Sequence, residues 1–265
     1  ATRVLIDRGV VRYDDPRTAN TGTPTATGAY ADLGACEFVE NAPSDVDLVV
    51  TDVSGPAAAT VGEIITVTWT VRNDGMAAAG GPRRDWLRLA RDGVTVDLGV
   101  VEVTQSLAAG GQAQATAEVR IPPCTPGEWH IQVQANAFRD IFEGRNSANN
   151  RATSAQAVVL SAPLLAPGAG VDLAFAEGQT SAAVTLTVPA GEAWAVYARG
   201  AAASDYRLMG GLGRTPTVTA HDFAAEPWTG EDLLLGIPAA DTGRTVLVVL
   251  ERLAALAPAT VSLEI

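Results

Sequence analysis

Lysine is absent from this chain, and all 18 of its basic residues are arginine. Against 30 carboxylates they leave a net charge of −12 and an isoelectric point near 4.5. Such a surface repels phosphate backbones, which argues against a nucleic-acid partner. The same excess of carboxylate favours solubility and attracts divalent cations. Absence of lysine fits either a GC-rich coding bias or a surface exposed to trypsin-like proteases, and the coding bias is the simpler reading. No run of 18 apolar residues occurs, so no membrane span is expected. No signal peptide is recognisable, yet residue 1 is Ala rather than Met. A removed leader and a fragment of something longer both account for that start. Histidine is limited to His130 and His221, and there is no Gly-x-Ser-x-Gly elbow, His-Glu-x-x-His helix or phosphate-binding loop. In Glu128-Trp-His-Ile-Gln-Val-Gln, alternation sets His130 opposite Trp129 and Ile131, facing solvent or a sheet neighbour. His221 precedes Asp222-Phe223 beside a turn, and no serine motif is offered to either histidine. Catalysis is therefore not expected.

What the chain does have is small and apolar. At 265 residues, 47% hydrophobic and 18% charged, it holds material for two packed domains of ordinary size. Aromatics are only 5%, and Ala, Gly, Thr and Val dominate, a composition suited to many short strands and tight turns. The clearest signal lies in Ile64 to Val71, where Ile65, Val67, Trp69 and Val71 share one face and Thr the other. That period of two predicts a strand with one buried face, ended by the turn residues Asn73-Asp74-Gly75. Further strands are expected at 47–53, 85–91, 95–103, 112–120, 128–136 and 153–160. Seven short strands separated by Gly, Pro and Asn point to an immunoglobulin-like sandwich over 44–160. Ala162-Pro-Leu-Leu-Ala-Pro-Gly-Ala-Gly170 reads as a linker at 161–170. Alternating segments from Ala183, Ala193, Asp232, Thr245 and Thr260 place a second sandwich over 171–265. Residues 1–43 hold too little apolar material for a core of their own and read as an extended arm, with Thr2 to Asp7 as one strand. The expected fold is all-β: an Ig-like then a jelly-roll-like sandwich, preceded by that arm.

Three resemblances accompany this reading. Asp47-Leu-Val-Val, Thr66-Val-Thr-Trp-Thr-Val-Arg-Asn-Asp-Gly, Asp85-Trp-Leu-Arg-Leu-Ala-Arg-Asp, Leu107-Ala-Ala-Gly-Gly and Asn146-Ser-Ala-Asn-Asn occur in an order that resembles the CARDB domain, the cell-adhesion-related domain found in bacteria. The resemblance implies an extracellular, Ig-like, non-catalytic module, secreted or displayed at the cell surface. Ala31-Asp-Leu-Gly-Ala-Cys-Glu-Phe38 resembles the last turn of a right-handed parallel β-helix. Leu186-Thr-Val-Pro, Gly213-Arg-Thr-Pro-Thr, His221-Asp-Phe and Ile237-Pro resemble the pre-peptidase C-terminal β-sandwich of secreted bacterial proteins. Gly243-Arg-Thr-Val-Leu departs from that pattern, which has an aromatic strand there.

Candidate sites are few. Asp140, Glu143, Asn146 and Asn149 gather oxygen atoms near the end of the first sandwich, the ligand type Ca²⁺ takes, though turn chemistry explains the same residues and no Asp-x-Asp-x-Asp-Gly loop exists. No other cofactor is expected. Trp69, Trp129 and Trp194 stand in apolar strands, leaving Trp86 and Trp228 as candidate glycan contacts. Cys36 and Cys124 have no CxxC spacing, and a single disulfide tying the arm to the Pro122-Pro-Cys-Thr-Pro loop is expected. An open sheet edge accepts an added strand, and Thr2, Val4 and Ile6 would supply one to a copy of the chain. These features favour a non-enzymatic surface protein that binds protein partners, itself or surface glycans, for adhesion or for assembly of an extracellular structure such as a fibre. The competing classes are the C-terminal accessory region of a secreted hydrolase and a carbohydrate-binding module.

Overall fold

The computed structural model describes residues 4–7, 10–13, 44–201, 204–227, 232–254 and 258–265. Near the N-terminus β1 (Val4–Asp7) and β2 (Val10–Tyr13) pair antiparallel as a hairpin, so the expected single strand has a partner within the arm.

The first sandwich uses β3 (Leu48–Ser54), β4 (Ala58–Thr60), β5 (Ile64–Asn73), β6 (Arg83–Arg91), β7 (Val94–Val103), β8 (Gln112–Arg120), β9 (Gly127–Gln134), β10 (Arg151–Thr153) and β11 (Val158–Ser161). One sheet has the order β3-β5-β8; the other is β4-β11-β9-β6-β7, with β10 also on β9. All pairs are antiparallel except β4 with β11, which run parallel. Alternation decides which residues meet between the sheets. Ile65, Val67, Trp69 and Val71 of β5 face Leu87 and Leu89 of β6 and Trp129, Ile131 and Val133 of β9, all buried. Asp92-Gly93 joins β6 to β7 with both φ angles positive (49° and 80°), the geometry of the two-residue hairpin that Asp-Gly favours. The expected strand at 153–160 is divided in two: at Ser154 the side-chain hydroxyl accepts the Ile131 N–H of β9 and donates to the Gln156 carbonyl, which ends β10 before β11 begins. β4, too short to show alternation, has no counterpart in the sequence reading.

The second sandwich contains β12 (Val171–Phe175), β13 (Ser181–Val188), β14 (Trp194–Arg199), β15 (Tyr206–Leu212), β16 (Phe223–Ala224), β17 (Glu226–Pro227), β18 (Leu233–Ile237), β19 (Arg244–Arg252) and β20 (Ala259–Glu264). Its sheets are β12-β20-β14-β18-β17 and β13-β19-β15-β16. Val184, Leu186, Val196, Leu208, Leu235, Val246, Val248, Leu250 and Leu263 fill the space between them. Trp194, expected in the core, is half-buried against its rim and donates Nε1–H to Glu192.

The stretch 161–170 differs from the free linker expected of it. Leu164 bridges Thr185 in parallel, Thr185 N–H donates to the Pro163 carbonyl and Leu165 N–H to the Thr185 carbonyl. Leu165 is 1% exposed within the second core. Apolar Leu-Leu between the prolines has more to gain from burial than from solvent. Strand β19 is apolar on both faces: Ala183 of β13 and Leu247 and Val249 of β19 point away from the second core and belong to the buried cluster of the first.

Candidate functional site

Alternation puts polar residues as well as apolar ones inside the first sandwich. Arg83 and Asp85 are in phase with Leu87 and Leu89 on β6, and both are buried. Asp85 accepts from Trp69 Nε1 at 2.8 Å, Arg83 Nε at 3.1 Å and the Asn136 backbone N–H at 3.0 Å. Asn136 Nδ2 donates to Glu143 Oε1 at 2.5 Å, and Asn150 Nδ2 donates to the same oxygen at 2.6 Å. Glu143 Oε2 accepts the Leu48 N–H at 2.7 Å. Burial raises the Glu143 pKa, against the pull of these three donors. Asn73, in phase with Val71, accepts from the Asp47 and Gly75 N–H groups and donates to the carbonyl of Ala77 at 2.8 Å. The network ties β3, β5 and β6 to the 136–150 segment, and each oxygen of the two carboxylates it buries meets at least one donor.

This explains where the calcium candidates go. Glu143 sits at the centre of the network, while Asp140 forms a two-pronged pair with Arg84 at 2.7 and 3.0 Å. The Arg84 guanidinium holds the Asp140 carboxyl below the usual range. Asn146 donates to the carbonyls of Ser44 and Val46, and Asn149 to Asp47 Oδ1. Among the described residues no three His, Cys, Asp or Glu side chains stand together as a metal would need.

The expected disulfide is corrected by the structure. Cys124 is a free, fully buried thiol in the first core, beside Ile121 and Trp129 in the same cluster; Cys36 lies outside the described residues. Burial pushes the Cys124 thiol up to about 11, partly offset by Arg91. Thr2 and Trp228 also lie outside the described residues, and Val4 and Ile6 are in β1, paired with β2. Each histidine contacts a backbone carbonyl through Nδ1: His130 that of Ser154 at 2.8 Å, His221 that of Thr217 at 3.0 Å.

Outward-facing residues of β6, β9 and β10 build the open face of the same sandwich. Across the sheet Trp86 lies opposite Gln134, Arg88 opposite Gln132 and Ala90 opposite His130, with Arg151 and Thr153 on the far side of β9. Trp86 is on this face, as a glycan contact would require. Its ring, however, is covered by the Arg88 guanidinium 3.3 Å from the centroid, and Phe138 lies 6.3 Å away at a tilt. Trp86 therefore acts as a backing plate for Arg88. Arg88 also donates to Gln134 Oε1 at 3.3 Å. Beside it a cleft of about 340 Å³ opens over the β6–β7 turn and the outer face of β9 and β10. Sequence reasoning singled out neither this cleft nor the buried network. The signal for the network was a polar residue at a core-parity position; the cleft has no local signal, since four strands, β6, β7, β9 and β10, contribute to it.

Residues 45–154 match the CARDB family model. No curated protein matches the chain. Among solved structures, a CARDB domain from Pyrococcus furiosus in complex with di-metal ions is 20% identical, covering 50% of this chain and 99% of that one, with a TM-score of 0.31. A domain from Methanosarcina acetivorans named as a cell surface protein is 23% identical over 44% of this chain and 94% of its own, with a TM-score of 0.33. A Listeria innocua β-glucosidase in complex with glucose is 16% identical over 53% of this chain and 21% of its own, with a TM-score of 0.29. Over residues 45–154 the first sandwich of this chain is thus similar to the CARDB family, a cell-surface adhesion-related domain type.

Proposed function

We propose that the chain is a non-enzymatic extracellular surface protein whose first sandwich holds a partner on the open face of β6, β9 and β10, in adhesion or in assembly of an extracellular structure. The observation that carries this reading is the division of labour among polar groups. The family-like residues Asn73, Asp85, Asn146 and Asn150 are spent on internal hydrogen bonds, whereas the outward polar residues of the face border an open cleft. Polar side chains held on rigid strands around a cleft suit recognition. The CARDB match and the surface naming of the Methanosarcina domain support the location.

The test is adherence. Beads coated with the full chain are washed over immobilised bacterial cell envelopes, alongside beads carrying Thr153→Tyr, an exposed strand substitution that fills the face without changing charge. Retention of the parent and its loss in the variant supports the reading. Equal retention removes the face from the function, and no retention of either favours an accessory region of a secreted hydrolase. Fibre assembly is the finer form of the proposal, supported by the strand character of Val4–Asp7, although β2 occupies one of its edges. Deletion of residues 1–40 without change in particle size by light scattering would remove it.

A further inference from the structure

We propose that the open face of the first sandwich binds an acidic polysaccharide, taking its carboxylate or sulfate groups in the arginine-lined cleft between β6, β9 and β10. This rests on the partner-face reading above and names the ligand class.

The charge balance of the cleft is the reverse of the chain's. Overall, 18 arginines face 30 carboxylates, yet the wall of this one cleft carries Arg88, Arg91 and Arg151 against the single carboxylate of Asp92. The three arginines are not equivalent. Arg91 is committed to the wall: its guanidinium donates to the Pro126 carbonyl at 3.1 Å and to the Thr125 hydroxyl, and lies 4.2 Å over the Trp129 ring. Arg88 is pre-set by its stack on Trp86 and its bond to Gln134, and its contact with the Asp97 carboxylate, 66% exposed, is a loose 3.9 Å. Arg151 is exposed and forms no ion pair among the described residues. A guanidinium fixed by an aromatic plate loses little freedom on binding an oxyanion, and a second unpaired guanidinium across β9 supplies the counter-charge.

The rest of the wall selects the kind of anion. Gln132, Thr153 and Thr95 present amide and hydroxyl groups, the donors and acceptors that sugar hydroxyls need, and Ala90, Val94 and the side-chain stems add apolar surface on which the C–H face of a sugar ring can pack. A cleft of about 340 Å³ is within the size range of small-ligand sites. It is open to solvent, so a ligand need not present a chain end to enter it. Acidic peptides share the charge but lack the hydroxyl groups that Gln132, Thr153 and Thr95 would pair, so poly-glutamate is the discriminating arm of the test.

The experiment measures binding of the full chain to polygalacturonate, dextran sulfate, neutral dextran and poly-glutamate, for the parent, Arg151→Ala and Arg214→Ala. Arg214, on the second sandwich and paired with Asp222, controls for loss of one positive charge. The expected result is binding to polygalacturonate or dextran sulfate, the stronger of the two identifying the oxyanion. Binding weakens with salt and falls about tenfold in Arg151→Ala, with little change in Arg214→Ala. Equal binding of neutral dextran, tighter binding of poly-glutamate, an equal loss in both variants, or no binding to any polymer overturns the proposal. The bead assay separates the two failures. If Thr153→Tyr still abolishes adherence while no acidic polymer binds, the ligand class is wrong and the partner face stands. If adherence ignores Thr153→Tyr, the face itself falls.

Discussion

Asp85→Ala is expected to be among the most damaging single substitutions in the first sandwich. Asp85 is fully buried and accepts three hydrogen bonds, from Trp69, Arg83 and Asn136. Its removal leaves the Arg83 guanidinium, 2% exposed, with only a 3.5 Å contact to the Gln105 carbonyl. Breaking a buried ion pair from one side costs about 3–5 kcal/mol, because the remaining charge has neither water nor partner. Total stabilities are about 5–15 kcal/mol, so this single change removes a large fraction. With a urea dependence near 2 kcal/mol per molar, the midpoint of the first sandwich falls by about 2 M. Tryptophan fluorescence is a suitable probe, since Trp69 and Trp129 are both in this core. The companion double variant Arg83→Met with Asp85→Leu removes both charges. It should lose less than Asp85→Ala, since the unpaired Trp69 and Asn136 donors are common to both variants and only the single change also strands the Arg83 charge. An Asp85→Ala shift below about 0.5 M, or additivity of the two single changes in the cycle, would refute the reasoning.

Three further outcomes are expected. The Cys124 thiol ionises near 9 in the unfolded chain and at about 11 when folded, so its stabilising contribution is complete below pH 9 and is lost as pH rises through 11. That loss approaches about 2 kcal/mol, and urea midpoints from pH 8 to 11 should fall less in Cys124→Ala than in the parent. The Glu143 carboxyl is also raised, so the unfolded chain releases its proton first. Relative to Glu143→Gln, the parent should lose stability as pH rises from about 4.5 through the higher folded value, and an opposite trend in urea midpoints contradicts the burial account. Gly75→Ala should cost roughly 2–4 kcal/mol by urea denaturation, because its Cβ would lie 2.1 Å from the Asp45 carbonyl oxygen, whereas Gly80→Ala meets no atom within 4 Å and should cost under about 0.5 kcal/mol.

Strands were legible wherever alternation ran for several residues. β5 shows this best: the parity that assigned Ile65, Val67, Trp69 and Val71 to one face is the parity that buries them. Carrying it two residues further would have placed Asn73 inside, and the same extension on β6 would have placed Arg83 and Asp85 inside. The turn-forming character of Asn73-Asp74-Gly75 obscured this, because Asn serves both a turn and a buried hydrogen-bond centre. Asn136, Glu143 and Asn150 were harder, since they come from an irregular segment whose partners are 48 and 85 in sequence. The disulfide failed for a related reason. Proline around Cys124 announces a stiff loop and says nothing about which way the thiol turns, and the core had room for it. The cleft depends on β10 lying beside β9, a pairing that the merged strand at 153–160 concealed.

The lone parallel pairing in the first sandwich bears on how it would carry tension. Chain enters this domain ahead of β3 and leaves it after β11, and β4 lies alongside β11 pointing the same way. Stretching the protein between those two ends therefore drags β4 and β11 past each other lengthwise. The hydrogen bonds from Val61 to Ser161 and from Val159 to Ala57 are then loaded together, in shear, where antiparallel end strands would peel apart one bond at a time. Upstream of that clasp, Leu48 is pinned to Glu143 and Asn146 grips the carbonyls of Ser44 and Val46, so the incoming segment is anchored before the force reaches the sheet. A module wired this way resists extension more than the packing of its valine- and leucine-rich core alone would, a property of use wherever a molecule must hold fast in a moving fluid.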